Sequence, residues 1–161
     1  MTSLFNCSKP MSDSDCENLI DKQIGKGGSR TVYSIKENNL AVVKKININY
    51  IGANATEWFI WNSIKNTKLK NKFGECFCVS ESAQYLIMEF LKDISPDEFK
   101  QIKDSVPYWV GDNLKIGNFG KNLIGLVKVR DYAILNYEDF GKILAENTKK
   151  PSDVICLNDQ F

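Results

Sequence analysis

Hydrophobic and polar residues alternate in several short runs along the chain, and alternation of this kind predicts β-strands. Residues 31–35 and 40–43 form two such runs, separated by a polar turn that contains two asparagines. Two further runs, at residues 76–80 and 85–90, flank a second polar turn. A later run at residues 127–133 ends in an acidic and an aromatic residue. The pattern predicts two successive β-hairpins followed by a separate strand.

Apolar residues three and four positions apart predict helices elsewhere. In residues 54–64, two tryptophans and two isoleucines fall on one helical face. At the start of this helix, Asn54 and Glu57 have the spacing of a capping box, in which two side chains satisfy free N–H groups. Ser95, followed by a proline and two acids, is a strong start signal for a short helix that ends before Pro107.

The length of the chain, 161 residues, predicts one domain with a single core. Residues 1–17 are polar and rich in serine, and we expect them to form a flexible arm. The domain is expected to cover residues 18–147, with a last helix at about residues 137–146. Residues 148–161 form a polar tail.

Composition narrows the possible functions. Apolar residues make up 43% of the chain and charged residues 25%, which is ordinary for a soluble globular protein. The net charge of +1 gives no indication of nucleic-acid binding. The chain contains no apolar run long enough for a membrane helix, and its start lacks the pattern of a secretory signal. We therefore expect a cytoplasmic protein.

The cysteines do not form a metal-binding or disulfide pattern. There are five cysteines at scattered positions and no histidine, so a zinc site would require four distant thiolates to converge. Free thiols in a reducing compartment explain them better. Cys76 and Cys78 lie two apart in a predicted strand, which places both sulfurs on one face.

A glycine cluster and a lysine suggest phosphate chemistry. Gly25, Gly27 and Gly28 precede the first predicted hairpin, and Lys44 ends its second strand. Glycines allow close approach of the backbone to a ligand and can direct N–H groups at phosphate oxygens, which a lysine two strands later can also reach. A Walker A loop is excluded because no Gly-Lys-Ser/Thr follows. An ordinary hairpin with a flexible glycine bend is the alternative.

This order of parts resembles the nucleotide-binding hairpin of protein kinases, with its pattern Gly-x-Gly-x-x-Gly-x-Val. Gly25, Gly27 and Val32 occupy matching positions, whereas Arg30 stands at the third glycine. The resemblance implies that Lys44 contacts phosphates and that Glu57 is the helix acid that pairs with this lysine. For Glu57, the capping box remains the alternative.

Residues 85–91 resemble the strand that runs into the kinase hinge. The resemblance implies that Met88 flanks an adenine pocket and that backbone groups from Glu89 to Leu91 bind the base. A buried strand without a ligand is equally compatible with these residues.

Residues 109–120 resemble the kinase catalytic loop, in which an Asp-Leu-Lys run precedes a metal-binding asparagine. The resemblance makes Asn118 and Asp131 ligands of Mg²⁺, with Asp131 in the place of the Asp-Phe-Gly aspartate. Aligning the Leu-Lys pair puts Asn113 at the position of the catalytic base, with Asp112 one residue early. Asparagine cannot accept a proton as a carboxylate does, so Asp112 serves as base only if the loop bulges.

Together these motifs imply an α+β fold: a kinase-like N-lobe of antiparallel sheet plus one helix at residues 18–91, and a strongly truncated C-lobe at residues 92–147. They are most similar to small kinase-like proteins of phages and bacterial effectors. The implied cofactors are ATP and Mg²⁺, and a phage protein of this kind would act in the host cytoplasm.

The departures from the kinase pattern divide the functional hypotheses. The displacement of Asp112 from the base position and the short C-terminal region favour a pseudokinase that acts by binding a partner protein. An active minimal kinase is the first alternative, and a small α+β interaction protein without a nucleotide is the second. The sequence predicts neither the identity of the partner nor the oligomeric state.

Overall fold

The described part of the chain folds into a β-rich structure with short helices. The computed structural model describes residues 5, 7, 9–48, 52–105, 115–133, 141, 144 and 145. The helices are α1 (Asp13–Leu19), α2 (Ala53–Ile64) and α3 (Pro96–Ile102). The strands are β1 (Ile20–Lys26), β2 (Arg30–Ile35), β3 (Asn38–Ile46), β4 (Cys76–Val79), β5 (Tyr85–Glu89), β6 (Phe119–Lys121) and β7 (Val127–Val129).

Five strands form one antiparallel sheet in the order β1-β2-β3-β5-β4, and β6 pairs with β7 in a separate hairpin. The expected α+β class is confirmed. The hairpin is joined to the rest of the fold by two isolated bridges, between Phe73 and Val129 and between Lys92 and Lys121. The first bridge brings β7 next to the segment that precedes β4, and the second brings β6 next to the segment that leaves β5.

The two faces of the large sheet pack against different cores, and the alternating side chains of β3 and β5 enter both. Val42 and Met88 belong to a core that includes residues of α2 and of the β6–β7 hairpin. Val43 and Ile87 point the other way, into a smaller core that contains Cys16 of α1. The face that carries Val42 is also the face of Lys44, two residues later on β3.

Helix α1 differs from the flexible arm expected for residues 1–17. Ser12 caps the helix by accepting a hydrogen bond from the backbone of Asp15, and Cys16 is fully buried. The backbone N–H of Met11 donates to the carbonyl of Val79 at 3.2 Å, which ties this segment to the sheet. Burial against the sheet stabilises a helix too short to be stable alone, and the sequence gives little sign of that contact.

Helix α2 does not begin with the capping box that the sequence allowed. Its N-cap is Gly52, at φ 106°, and no side chain caps it. Asn54 and Glu57 are instead fully buried and point into the protein. The amide of Asn54 donates to the carbonyl of Lys44 at 3.0 Å. The capping interpretation of these two residues is therefore wrong.

Helix α3 begins as predicted. The Ser95 side chain accepts from the backbone of Glu98, whose carboxylate accepts from the backbone of Ser95, so a complete capping box is present. The helix predicted at residues 137–146 lies largely outside the described residues.

The two neighbouring cysteines of β4 contradict the expectation of one face. Cys76 belongs to the core on the α2 side, whereas Cys78 belongs to the core on the α1 side. The pairing of β4 with β5 shifts register between them, and such a bulge reverses the side-chain alternation. In the part of the chain described above, no helix is long and apolar enough to cross a membrane.

Candidate functional site

A cleft of about 680 Å³ opens between the large sheet and the β6–β7 hairpin. The β1–β2 turn forms one wall, and the segment after β5 closes one end. It is lined by Ile24, Gly25, Lys26, Gly27, Ser29, Arg30, Val32, Val42, Lys44, residues 88–93, Lys115, Gly117, Asn118, Arg130 and Asp131.

Most of the residues that the sequence singled out meet at this cleft. Those that line it are Gly25, Gly27, Val32, Lys44, Met88, Glu89, Leu91, Asn118 and Asp131. Gly28 does not line it, and Glu57 lies behind its wall. Asp112 and Asn113, the two candidates for the catalytic base position, lie outside the described residues.

The glycine turn is held by Asn47, a residue that the motif did not indicate. The Asn47 side chain donates to the carbonyls of Gly27 and Gly28 at 3.1 and 3.0 Å. The N–H of Gly27 donates to the carbonyl of Arg30 at 2.8 Å and closes the turn. A Cβ built at Gly28 would meet nothing within 4 Å, so space remains beside the turn.

Behind the cleft wall, Glu57 is the centre of a buried charged cluster. Lys44 Nζ lies 3.0 Å from Glu57 Oε2, and both side chains are almost fully buried. Arg30 also binds Glu57 through its guanidinium. The backbone N–H of Tyr132 donates to Glu57 Oε1 at 2.9 Å. The ion pair expected between Lys44 and Glu57 is present, and Glu57 has three donors.

Arg30 connects this cluster to the cleft. Its guanidinium contacts Glu57 from one side and the carboxylate of Asp131 from the other. Asn54 accepts a further hydrogen bond from Arg30 at 3.3 Å, and Lys44 Nζ also donates to the carbonyl of Arg130. Two cations and two carboxylates therefore share one network across three parts of the chain.

The charges in this network stabilise each other against burial. Burial alone would raise the pKa of Glu57, but the charges of Arg30 and Lys44 hold it below its usual value. Burial and the neighbouring Arg30 charge lower the pKa of Lys44, against the pull of Glu57. The pKa of Arg30 is raised, because Glu57 and Asp131 outweigh the effect of its burial. Glu57 is therefore ionised and acts as the shared counter-ion.

At the closed end of the cleft, Arg130 binds the segment that follows β5. Its guanidinium donates to the carbonyl of Leu91 at 3.1 Å, and its Nε donates to the carbonyl of Gly117 at 3.0 Å. It also forms an ion pair with Asp93 at 2.7 Å. The carbonyl of Leu91, one of the backbone groups expected to bind a base, thus already has a donor.

The same segment approaches β6 very closely at Gly120. A Cβ built at Gly120 would lie 2.5 Å from Leu91 Cβ and 3.0 Å from the carbonyl oxygen of Lys92. Lys92 and Lys121 exchange two backbone hydrogen bonds, at 2.9 and 2.8 Å, beside this contact. Glycine is required here by packing, and the Asn-Phe-Gly sequence gave no reason to expect that contact.

Arg30 competes with Mg²⁺ for Asp131, one of the two residues proposed to hold the ion. Mg²⁺ prefers an octahedron of oxygen ligands and in proteins is usually held by one or two carboxylates plus phosphates. Asn118 and Asp131 both line the cleft, but an Asp131 oxygen is already bound by Arg30. Among the described residues, no group of three or more acidic, cysteine or histidine side chains could hold a metal.

Arg30 is the functional candidate that the motif comparison undervalued. In the kinase-like motif, Arg30 is only the residue that stands at the position of the third glycine. Strand alternation places it on the face of Val32, and Val32 pairs with Lys44 across the β2–β3 ladder. That alternation was the available signal that Arg30 points to the same side as Lys44.

No model of a known protein family matches this chain, and no curated protein sequence is significantly similar to it. The function must therefore be inferred from the cleft itself.

Proposed function

We propose that this protein binds a nucleotide such as ATP in the cleft, has a kinase-like arrangement, and acts mainly by binding a partner protein. The observation that carries the proposal is the convergence of the glycine turn, Lys44, the segment after β5 and Asn118 with Asp131 on one cleft. These segments are far apart in sequence, and each was singled out for the same ligand.

The lining of the cleft suits the two parts of a nucleotide. Val32, Val42, Met88 and Leu91 offer an apolar site for a base. Among the described residues, six basic side chains line the cleft against three acidic ones: Lys26, Arg30, Lys44, Lys92, Lys115 and Arg130 against Glu89, Asp93 and Asp131. The chain as a whole carries a net charge of only +1. Positive charge is thus concentrated in the cleft, which favours a ligand that carries phosphates.

Efficient phosphoryl transfer is not part of the proposal. Transfer depends on an acidic residue that orients the acceptor hydroxyl and on a free acidic group for the metal. Asp131 is engaged by Arg30, and Asp112 stands one residue from the expected position of the base. A pseudokinase that signals through a bound partner is consistent with both features.

An active minimal kinase is the second candidate. The ion pair between Lys44 and Glu57 favours it, because this pair would hold the lysine head in one position for phosphate. If the protein is an enzyme, release of Asp131 from Arg30 must precede the reaction.

Nucleotide binding is tested by thermal unfolding with ATP and with ADP, each in Mg²⁺ and in excess EDTA. A ligand that binds only the folded state raises the free energy of unfolding by about 2.7 kcal/mol at a hundredfold excess over Kd. We expect the nucleotides to raise the melting temperature of the wild type. The control variant Lys100→Ala, which removes a positive charge outside the cleft, should show the same increase. Lys44→Met should reduce the shift. A melting temperature unchanged by both nucleotides under both conditions would remove the nucleotide from the proposal and favour a small α+β interaction protein.

Catalysis and partner binding are tested in one lysate experiment. The protein is incubated with labelled ATP, alone and with lysate, and compared with Asp112→Asn and Asp131→Ala. We expect little or no label transfer and recovery of a specific partner by pull-down. Robust transfer that both substitutions abolish would establish the active kinase instead.

A further inference from the structure

The place of Arg30 has a consequence for how phosphates would be bound. Its side chain is only 5% exposed, yet it lines the cleft and spans from Glu57 of α2 to Asp131 after β7. An arginine is always protonated and carries five donors in a rigid fork, so the positive charge at this point is fixed.

A divalent cation at the same place would meet unfavourable conditions. The carboxylate that would bind the cation, Asp131, already forms an ion pair with Arg30. Lys44 adds a second positive charge next to Arg30, because both residues pair with the buried carboxylate of Glu57. Among the described residues, the other two acids that line the cleft are also paired, Glu89 with Lys128 at 2.7 Å and Asp93 with Arg130 at 2.7 Å. Mg²⁺ would therefore have to displace a bound arginine and enter next to fixed cations.

We propose that the cleft binds the phosphates of a nucleoside di- or triphosphate without a divalent cation, and that Arg30, held between Glu57 and Asp131, takes the place and supplies the charge of that cation. The inference rests on the proposed function, since it concerns the same cleft and ligand. Glu57 and Asn54 hold the Arg30 guanidinium from behind the cleft wall, and a phosphate oxygen would accept from Arg30 in the place of the Asp131 carboxylate, which lines the cleft.

The test is isothermal titration calorimetry of the full chain with ADP and with ATP, in excess EDTA and in excess Mg²⁺. We expect the affinity in EDTA to equal or exceed the affinity in Mg²⁺. Binding that requires Mg²⁺ would overturn this inference and leave the proposed function standing. Absence of binding in both buffers would overturn the two together.

Substitution of Asp131 distinguishes phosphate binding by Arg30 from phosphate binding through Mg²⁺, because the two mechanisms predict opposite changes in the affinity for ADP. Asp131→Asn keeps the shape of a half-exposed side chain and removes one negative charge from the cleft. If Arg30 supplies the charge, this variant binds ADP in EDTA about fivefold more tightly, because less negative charge opposes the phosphates. Weaker binding of ADP by Asp131→Asn in excess Mg²⁺ would show that the carboxylate holds a metal and would overturn the inference, and weaker binding in EDTA, where no metal is present, would equally contradict it.

Substitution of Arg30 completes the comparison. Arg30→Met should weaken ADP binding in EDTA about tenfold or more, as expected for loss of a charge-assisted contact. Lys100→Ala is the matched control and should keep the wild-type affinity. Equal losses in the two variants would contradict a specific role for Arg30, and Asp131→Asn decides the question if Arg30→Met does not fold.

Discussion

The buried carboxylate of Glu57 offers the sharpest test of how the charged cluster supports the fold. Glu57→Gln preserves side-chain volume and the oxygen that accepts from Tyr132, but removes the negative charge that Arg30 and Lys44 share. Removing one partner of a buried ion pair typically costs about 3–5 kcal/mol, because the remaining charge is left buried and uncompensated. We expect about 3 kcal/mol here, at the lower end, since Arg30 retains Asp131.

The expected loss is large relative to ordinary domain stability, which is about 5–15 kcal/mol. For a domain of this size, each kcal/mol lowers the melting temperature by about 2–4 °C, so a decrease of about 6–12 °C should be seen. Urea denaturation followed by circular dichroism measures the free energy directly, with the slope of the transition as a check that the unfolded state is unchanged.

Glu17→Gln provides the matched control. Glu17 pairs with Lys45 at 2.9 Å, but the two side chains are 50% and 31% exposed, so this substitution should cost less than about 1 kcal/mol. The double variant of Glu57→Gln with Lys44→Met should lose less stability than the sum of the single variants, because the two residues share one interaction. If Glu57→Gln were no more destabilising than Glu17→Gln, the argument from the buried cluster would be refuted.

Two further predictions concern the charge of Glu57 in acid and the close contact at Gly120. Because the folded-state pKa of Glu57 lies below its usual 4.5, its contribution to stability is complete above about pH 4.5 and is lost as pH falls through the folded-state value. Unfolding midpoints measured against pH should therefore fall less steeply in acid for Glu57→Gln than for the wild type. An unchanged slope would contradict the prediction. Gly120→Ala places a Cβ 2.5 Å from Leu91 Cβ and should destabilise the protein by about 1–3 kcal/mol. Gly117→Ala is the control and should have little effect, because a Cβ there would meet nothing within 4 Å. Equal urea midpoints for these two variants would argue against the close contact at Gly120.

Much of the secondary structure could be predicted because its signals are local. Alternation in residues 31–35 and 40–43 predicted β2 and β3, and apolar spacing predicted α2. The capping box at Ser95 was recognised because both of its partners lie within one helical turn. Helix α1 was missed because its stability comes from burial of Cys16 against the sheet rather than from its seven residues alone.

The candidate site was predictable in part for a related reason. The kinase resemblance selected Lys44 and Met88, and both line the cleft. The environment of Glu57 was not predictable, because Asn54 and Glu57 have the spacing of a helix cap and only the packing of α2 shows that both are buried. Residue spacing alone leaves both the helix cap and the buried position open, because the side chains can form hydrogen bonds equally well in either.

The sequence by itself determined which residues of an uninterrupted strand face the same side of the sheet, since side chains alternate along it, whereas the bulge that separates Cys76 from Cys78 depends on how β4 pairs with β5. Only the tertiary structure decided what those residues contact. Arg30 meets Glu57 and Asp131, which lie 27 and 101 residues further along the chain, once α2 and the β6–β7 hairpin have packed against the sheet. Electrostatic interactions depend on distance in space and on burial. Arg30, which in the sequence motif only replaces a glycine, therefore becomes the cation that links two carboxylates at the cleft only in the folded protein.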